Sequence, residues 1–213
     1  MKQEQKSIMT KTKILKVAMQ LFIEKGYTET TMQDILSQSG LSKGAIYHHF
    51  RSKNEILEFA MDSELKNVTT YLESLANSKE YSATEKIDSL INFLLSNDSM
   101  KNLSKSNWSE KIPFGLLYTL RNTVNVLSHH IGKIIEQGNE NAEFNCAFPF
   151  ETASVLLLLI DVWLDPVIVD STFLEISRKI DYISYFLNSN NVPILSEEKC
   201  KEIKKTIKPY YEK

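Results

Sequence analysis

The sequence predicts an all-α protein, with a small N-terminal helix-turn-helix unit joined by a long helix to a larger helical domain. Three observations predict it. Apolar residues recur at three- and four-residue spacing through most of the 213 residues. Hydroxyl, glycine and proline residues start and stop those runs. No stretch holds the two-residue alternation of a strand, and no segment repeats.

Residues 10–25 place Ile14, Leu15, Ala18, Leu21 and Phe22 on one helical face, and Gly26 stops that helix. The next start signal is Thr30 with Gln33 three residues on, where hydroxyl and amide satisfy free backbone N–H groups; Thr31 with Asp34 serves nearly as well. Met32, Ile35 and Leu36 follow at helical spacing. Gly40 supplies the freedom for a sharp turn, Leu41 plugs the elbow, and Ser42 caps a second short helix. Residues 31–50 therefore read as a helix-turn-helix.

The second helix carries the functional signal. Ile46 and Phe50, four apart, face a small core. Ser42, Lys43, Gly44, Tyr47 and His48 crowd its start with polar, small or aromatic groups. A DNA-reading helix needs that composition: free N–H groups attract phosphate, Lys and Ser donate to phosphate or base edges, and glycine leaves room for the DNA backbone. Tyr47 and Lys53 are candidate backbone contacts, whereas Lys43 and His48 are candidates for base readout. His49 is expected to stabilise the unit first and to touch phosphate second. Ser52-Lys53-Asn54-Glu55 is a capping box that opens the next helix. Lys53 in its first turn opposes the helix dipole, and a nearby anion would compensate.

Leu57, Met61, Leu65, Val68, Leu72 and Leu75 continue that helix for some 25 residues. Residues 84–96 form another amphipathic helix, and 97–111 read as a polar loop around a short helix. Pro113 opens a helix from Phe114 to Gln137, which Gly138 ends. Pro149 starts the next, whose run from Val155 to Leu164 is apolar nearly all round and needs burial on several sides. Asp165-Pro166 breaks it. Phe173, Ile176, Ile180, Ile183 and Leu187 mark a further helix, and Ser196 to Lys208 the last.

Composition fits a globular chain, at 42% hydrophobic and 24% charged residues. The net charge of −2 is unevenly spread: residues 1–53 hold nine Lys or Arg against four Asp or Glu, leaving 16 against 23 in the rest. The basic end is the end with the motif, where a positive field steers association with DNA. Cys146 and Cys200 make neither a disulfide framework nor a metal signature. No apolar segment follows the N-terminus, and the longest apolar run, Val155–Ile160, is far short of a membrane span; a cytoplasmic location is expected. There is no glycine-rich phosphate loop, nucleophile elbow or metal-ligand cluster at usable spacing, so no enzyme, cofactor or metal is expected. His129 and His130 point about 100° apart on a helix and do not share a metal. Asp161, inside the apolar run, offers either a ligand contact or, the preferred reading, a hydrogen-bonded polar residue at the seam of a dimer.

Residues from about Thr12 to Leu57 resemble the DNA-binding domain of the tetracycline-repressor (TetR) family of bacterial transcription regulators. The resemblance rests on Gly26-Tyr27, Thr30-Thr31, Ile35, Gly40-Leu41-Ser42, Gly44, Tyr47, His49-Phe50 and Lys53 at fixed spacing, over less than a quarter of the chain. Leu36 and Ser39 stand where the family often has Ala. The resemblance implies a DNA-binding domain at 9–55 and an effector-binding and dimerisation domain at 56–213. It implies double-stranded operator DNA as partner, with Thr30, Thr31, Ser42, Lys43, Gly44, Tyr47, His48 and Lys53 at the interface. His48 falls at a position that varies within the family. The resemblance further implies a homodimer paired through residues 149–164 and 171–188, and a repressor released by a small effector of unknown identity. Aromatic and polar residues on the middle helices are the candidates for that effector: Tyr71, Phe93, Trp108, Phe114, Tyr118, Arg121, Asn122, Asn125 and His129. Ordinary packing is the competing reading for each. The alternative function is a DNA-bound adaptor whose second domain recognises a protein.

Overall fold

A computed structural model describes residues 2–96, 111–165 and 168–211. All regular elements among the described residues are helical. The chain divides into two compact units, the first made of residues 2–67 and 111–117, the second of the other described residues.

In the first unit lie α1 (Lys2–Lys25), α2 (Met32–Ser39), α3 (Lys43–His49) and the start of α4 (Lys53–Asn77). Helix α1 begins eight residues earlier than apolar spacing indicates. Its first turns are rich in Lys, Glu and Gln, which sustain a helix without a buried face, and Ile8 and Met9 there are exposed. The core joins Ile14, Ala18, Leu21 and Phe22 of α1 to Ile35, Ile46, Phe50, Ile56 and Leu57. Ile112 completes it from far along the chain. Each fully buried Ile, Leu or Phe contributes roughly 1.5–3 kcal/mol.

Helix α2 is capped by Thr31, one residue later than the first-choice signal. The Thr31 hydroxyl accepts the Asp34 N–H at 3.1 Å, and the Asp34 carboxylate accepts the Thr31 N–H at 2.8 Å. Thr30 points inward instead, fully buried, with its hydroxyl 2.7 Å from the Gly26 carbonyl oxygen. Gly40 ends α2 in the left-handed region at φ 63°. Ser42 caps α3 by accepting the Ala45 N–H at 3.2 Å. At the head of α4, Ser52 accepts the Glu55 N–H at 3.2 Å, while the Glu55 carboxylate reaches past it to the Arg51 N–H at 2.7 Å.

The second unit contains the rest of α4, α5 (Ala83–Ser96), the end of α6 (Pro113–Asn122), α7 (Ser128–Glu140), α8 (Pro149–Leu158), α9 (Phe173–Ser189) and α10 (Glu197–Ile207). Its core draws Leu72, Ile87, Ile131, Ile134, Ile135, Leu156, Ile183 and Leu187 together. A smaller cluster of Ile176, Ile180 and Cys200 joins α9 to α10. Buried Lys86 donates to the Ala76 carbonyl oxygen at 3.0 Å and to Gln137 Oε1 at 2.8 Å, which satisfies its charge without a carboxylate. Glu143 caps α5 from a distant loop, accepting the Ala83 and Thr84 N–H groups at 2.9 and 3.0 Å.

Gly138 does not stop its helix, which runs on to Glu140. The Phe144 ring lies where a side chain at Gly138 would begin, and the Phe150 ring does the same at Gly132. Close approach, not helix breaking, is what these glycines supply. Two helices widen locally: between α6 and α7 the Ser128 N–H reaches back five residues to the Thr123 carbonyl, and after α8 the Leu164 N–H reaches the Leu159 carbonyl at 3.0 Å. These are π turns at Thr123–Leu127 and Leu159–Trp163.

Candidate nucleic-acid interface

Helix α3 has one face in the core and one in the open. Ile46 is fully buried and Phe50 nearly so, whereas Ser42, Lys43, Gly44, Tyr47 and His48 are all exposed. Tyr47 leaves 40% of its surface to solvent, unusual for an aromatic residue with a core beside it. Lys43 holds its ammonium 5.8 Å from the Tyr47 ring centre, so the two sit side by side on that face. A side chain added at Gly44 would meet no atom within 4 Å. Nothing inside the chain requires glycine there, while a closely approaching external backbone would.

The two histidines of α3 differ. His48 is exposed, and His49 is half-buried with its ring 5.1 Å from that of His48. Burial, reinforced by nearby His48 and Lys11, lowers the His49 pKa. An open groove of about 560 Å³ runs past Tyr47, His48, His49, Arg51 and Glu55. A second, of about 600 Å³, lies between Glu4, Lys6, Ser7 and Thr10 of α1 and Gly44, Ala45, His48 and His49. The exposed face of α3 is thus flanked by open concave ground on both sides, polar toward Arg51 and Glu55 and more apolar toward α1.

The remaining sequence-selected residues fall elsewhere. Thr31 is exposed but engaged as the α2 cap. Thr30 is fully buried, away from any external partner. Lys53 turns its ammonium inward, donating to the carbonyl oxygens of Tyr27, Thr28 and Thr30 at 2.7, 3.0 and 2.8 Å.

The described effector candidates lie on α4, α5, α6, the π turn that follows it, and α7. Tyr71 and Phe93 stack with ring centres 4.5 Å apart, and the Tyr71 hydroxyl donates to the Ser89 carbonyl at 3.4 Å. Phe114 belongs to the first unit and is 54% exposed, whereas Tyr118, Arg121, Asn122, Asn125 and His129 belong to the second. Asn122 and Asn125 donate back along their own helix, to the Tyr118 and Arg121 carbonyls at 2.9 and 2.8 Å. His129 stacks on Phe150, ring centres 5.3 Å apart. Trp108 lies outside the described residues. Sequence reasoning passed over Lys111, whose contacts lie in the first unit, because nothing local distinguishes it from any other surface lysine.

Residues 14–60 match the family model described as bacterial regulatory proteins, tetR family. The HTH-type transcriptional regulator YerO of Bacillus subtilis is 49% identical over 47 residues, covering 22% of this chain and 16% of that protein. The biofilm operon icaADBC HTH-type negative transcriptional regulator IcaR of Staphylococcus aureus is 36% identical over 84 residues, 39% of this chain and 43% of that protein. The matches thus span less than half the length of these curated relatives. Among solved structures, a gamma-butyrolactone receptor described as ArpA-like superposes with a TM-score of 0.61 at 15% identity, covering 96% of this chain and 98% of that one. That likeness establishes a shared fold over nearly the whole chain.

Proposed function

We propose that the chain is a transcription regulator of the kind its residues 14–60 match, the tetR family of bacterial regulatory proteins, and that it acts as a dimeric repressor. In this reading it binds a near-palindromic operator and leaves it when a small effector occupies the helical domain. The observation that carries the DNA contact is the exposed face of α3, with Lys43, Gly44, Tyr47 and His48 presented together opposite a buried Ile46. Lys43 and His48 read base edges, Tyr47 and Ser42 hold the backbone, and Gly44 admits it. Thr30 and Thr31 serve the interface from behind, by fixing where α2 begins.

Dimerisation is supported by an exposed apolar face on α8 and α9. Val155 and Leu158 of α8 and Leu174, Tyr182 and Tyr185 of α9 leave between 38% and 68% of their surface uncovered. A second copy is the occupant we assign, since residues of this kind are enriched at the centre of obligate interfaces. Two copies of α3 then address successive major grooves, about 34–36 Å apart. Effector and DNA must weaken one another by the same factor, typically about 1–3 kcal/mol. The named role of IcaR as a negative regulator supports repression as the sign, and a cytoplasmic location belongs to the same reading.

The test is a footprint of the purified protein on the DNA flanking its own gene, with Lys43→Ala and Tyr47→Ala beside it. Protection of a near-palindrome that both variants lose is the expected result. Absence of protection at low salt, or lowered transcription from the bound promoter on deleting the gene, defeats the repressor reading.

A further inference from the structure

Lys53 is the first residue of α4, and an ammonium has three protons to give. It gives them to three backbone carbonyls, of Tyr27, Thr28 and Thr30, all within 3.0 Å. The same ammonium lies 4.5 Å from the centre of the Tyr27 ring. Lys111 holds the approach to the same turn, with its side chain on the end of α1 and its main chain on Tyr27. Its Nζ donates to the Ile23 carbonyl oxygen at 2.5 Å, and its own carbonyl accepts the Tyr27 N–H at 3.0 Å. Both polar atoms of the Tyr27 backbone are therefore held by lysines, one 26 residues away and one 84 residues away in sequence.

That turn leads straight into Thr31, the cap of α2, and through α2 to the exposed face of α3. Carbonyls at the end of a helix such as α1 carry partial negative charge and attract cations. Moving Lys53 out to a phosphate would strip three carbonyls of one donor for a single exposed ion pair, an unfavourable exchange. We infer that Lys53 and Lys111 are positioning residues, a two-lysine clasp on the Tyr27–Thr30 turn that sets the placement of α2 and α3, and that Lys53 touches no phosphate. The inference rests on the DNA-binding reading above for its consequence, though not for its geometry. Lys53 heads α4, which continues to Asn77, and Lys111 lies two residues before the start of α6. A tilt at the start of either helix therefore pulls on the turn.

The experiment uses the full-length protein, a duplex that the wild type recovers from a random-sequence pool, and the variants Lys53→Met, Lys111→Met and their double. Affinity is followed against salt, and amide exchange at residues 27–32 is followed without DNA. Each single variant is expected to lose about tenfold in affinity, to keep the wild-type salt slope, and to exchange faster at the turn. The double variant is expected to fall short of the product of the two losses, because both lysines hold one turn. A Lys53→Met slope shallower by about 0.9, with exchange unchanged, makes Lys53 a phosphate ligand and overturns the clasp. Unchanged affinity with unchanged exchange overturns it too. If Lys53→Met does not fold, Lys53→Gln decides by the same affinity, salt-slope and exchange readings. Failure of the wild type to recover any duplex counts against the DNA-binding reading, and amide exchange still judges the clasp.

Discussion

Thr123 donates its hydroxyl to the Asp161 carboxylate at 2.5 Å, joining two helices at the points where each widens into a π turn. Thr123 is almost fully buried. Burial pushes the Asp161 pKa up, the nearby Asp165 carboxylate adds to that, and the Thr123 hydrogen bond opposes it without reversing it. A folded-state value above the unfolded one means that Asp161 stabilises the fold at pH below about 4 and loses that contribution as pH rises through its folded value.

At neutral pH the raised pKa of Asp161 is therefore a cost to stability. Asp161→Asn keeps an acceptor for Thr123 and removes the charge, so thermal melts at pH 7 should show a more stable protein, with the advantage vanishing in acid. Thr123→Val should do the reverse, lowering stability by about 1–3 kcal/mol by leaving the carboxylate without its donor. Equal effects of the two substitutions would refute this account.

Asp34 behaves oppositely. Its hydrogen bonds from Lys25 and then Thr31 lower its pKa to about 2. Its contribution is complete above about pH 4 and lost as pH falls through about 2. Acid melts of the wild type should fall across that window more steeply than those of Asp34→Asn, which has no charge to lose.

Gly138→Ala places a methyl group into the Phe144 ring. We expect a loss of about 1–3 kcal/mol in denaturant titrations, as for other overpacked sites, and partial recovery in the double variant with Phe144→Leu. A neutral Gly138→Ala would mean that the loop carrying Phe144 yields freely.

Leu158→Glu and Tyr185→Glu each put a charge on the exposed face assigned to a second copy. Sedimentation should show half the mass with helicity kept. An unchanged mass would remove that face from the dimer.

His48→Ala should weaken binding to a selected duplex while barely changing binding to mixed-sequence DNA, since a base contact discriminates by about 1–3 kcal/mol and a phosphate contact does not. Equal losses on both would place His48 on the backbone.

The short helices α2 and α3 were legible because their signals are local: a hydroxyl cap, a left-handed glycine, and apolar residues four apart. The choice between Thr30 and Thr31 was harder, since both offer a hydroxyl and an acceptor three residues on. Burial of Thr30 settles it, and burial is a property of the assembled unit. The π turns have no local signature; Thr123 and Asp161 lie 38 residues apart and meet only in the fold. Lys53 stood out by position and charge, yet its partners lie 23 to 26 residues away and are backbone atoms that no side-chain pattern announces. Residue type nominated the effector candidates without placing them, and the structure distributes them over two units.

The first unit borrows residues 111–117, which supply Ile112 to its core and Lys111 to its turn. A chimera cut at residue 60, where the family match ends, would inherit the reading helix and forfeit these parts. Recombination between regulators of this kind would then exchange specificity cleanly only if two distant patches travelled together. The helix-turn-helix unit is not a detachable cassette in this chain, and swapping it requires three crossovers rather than one.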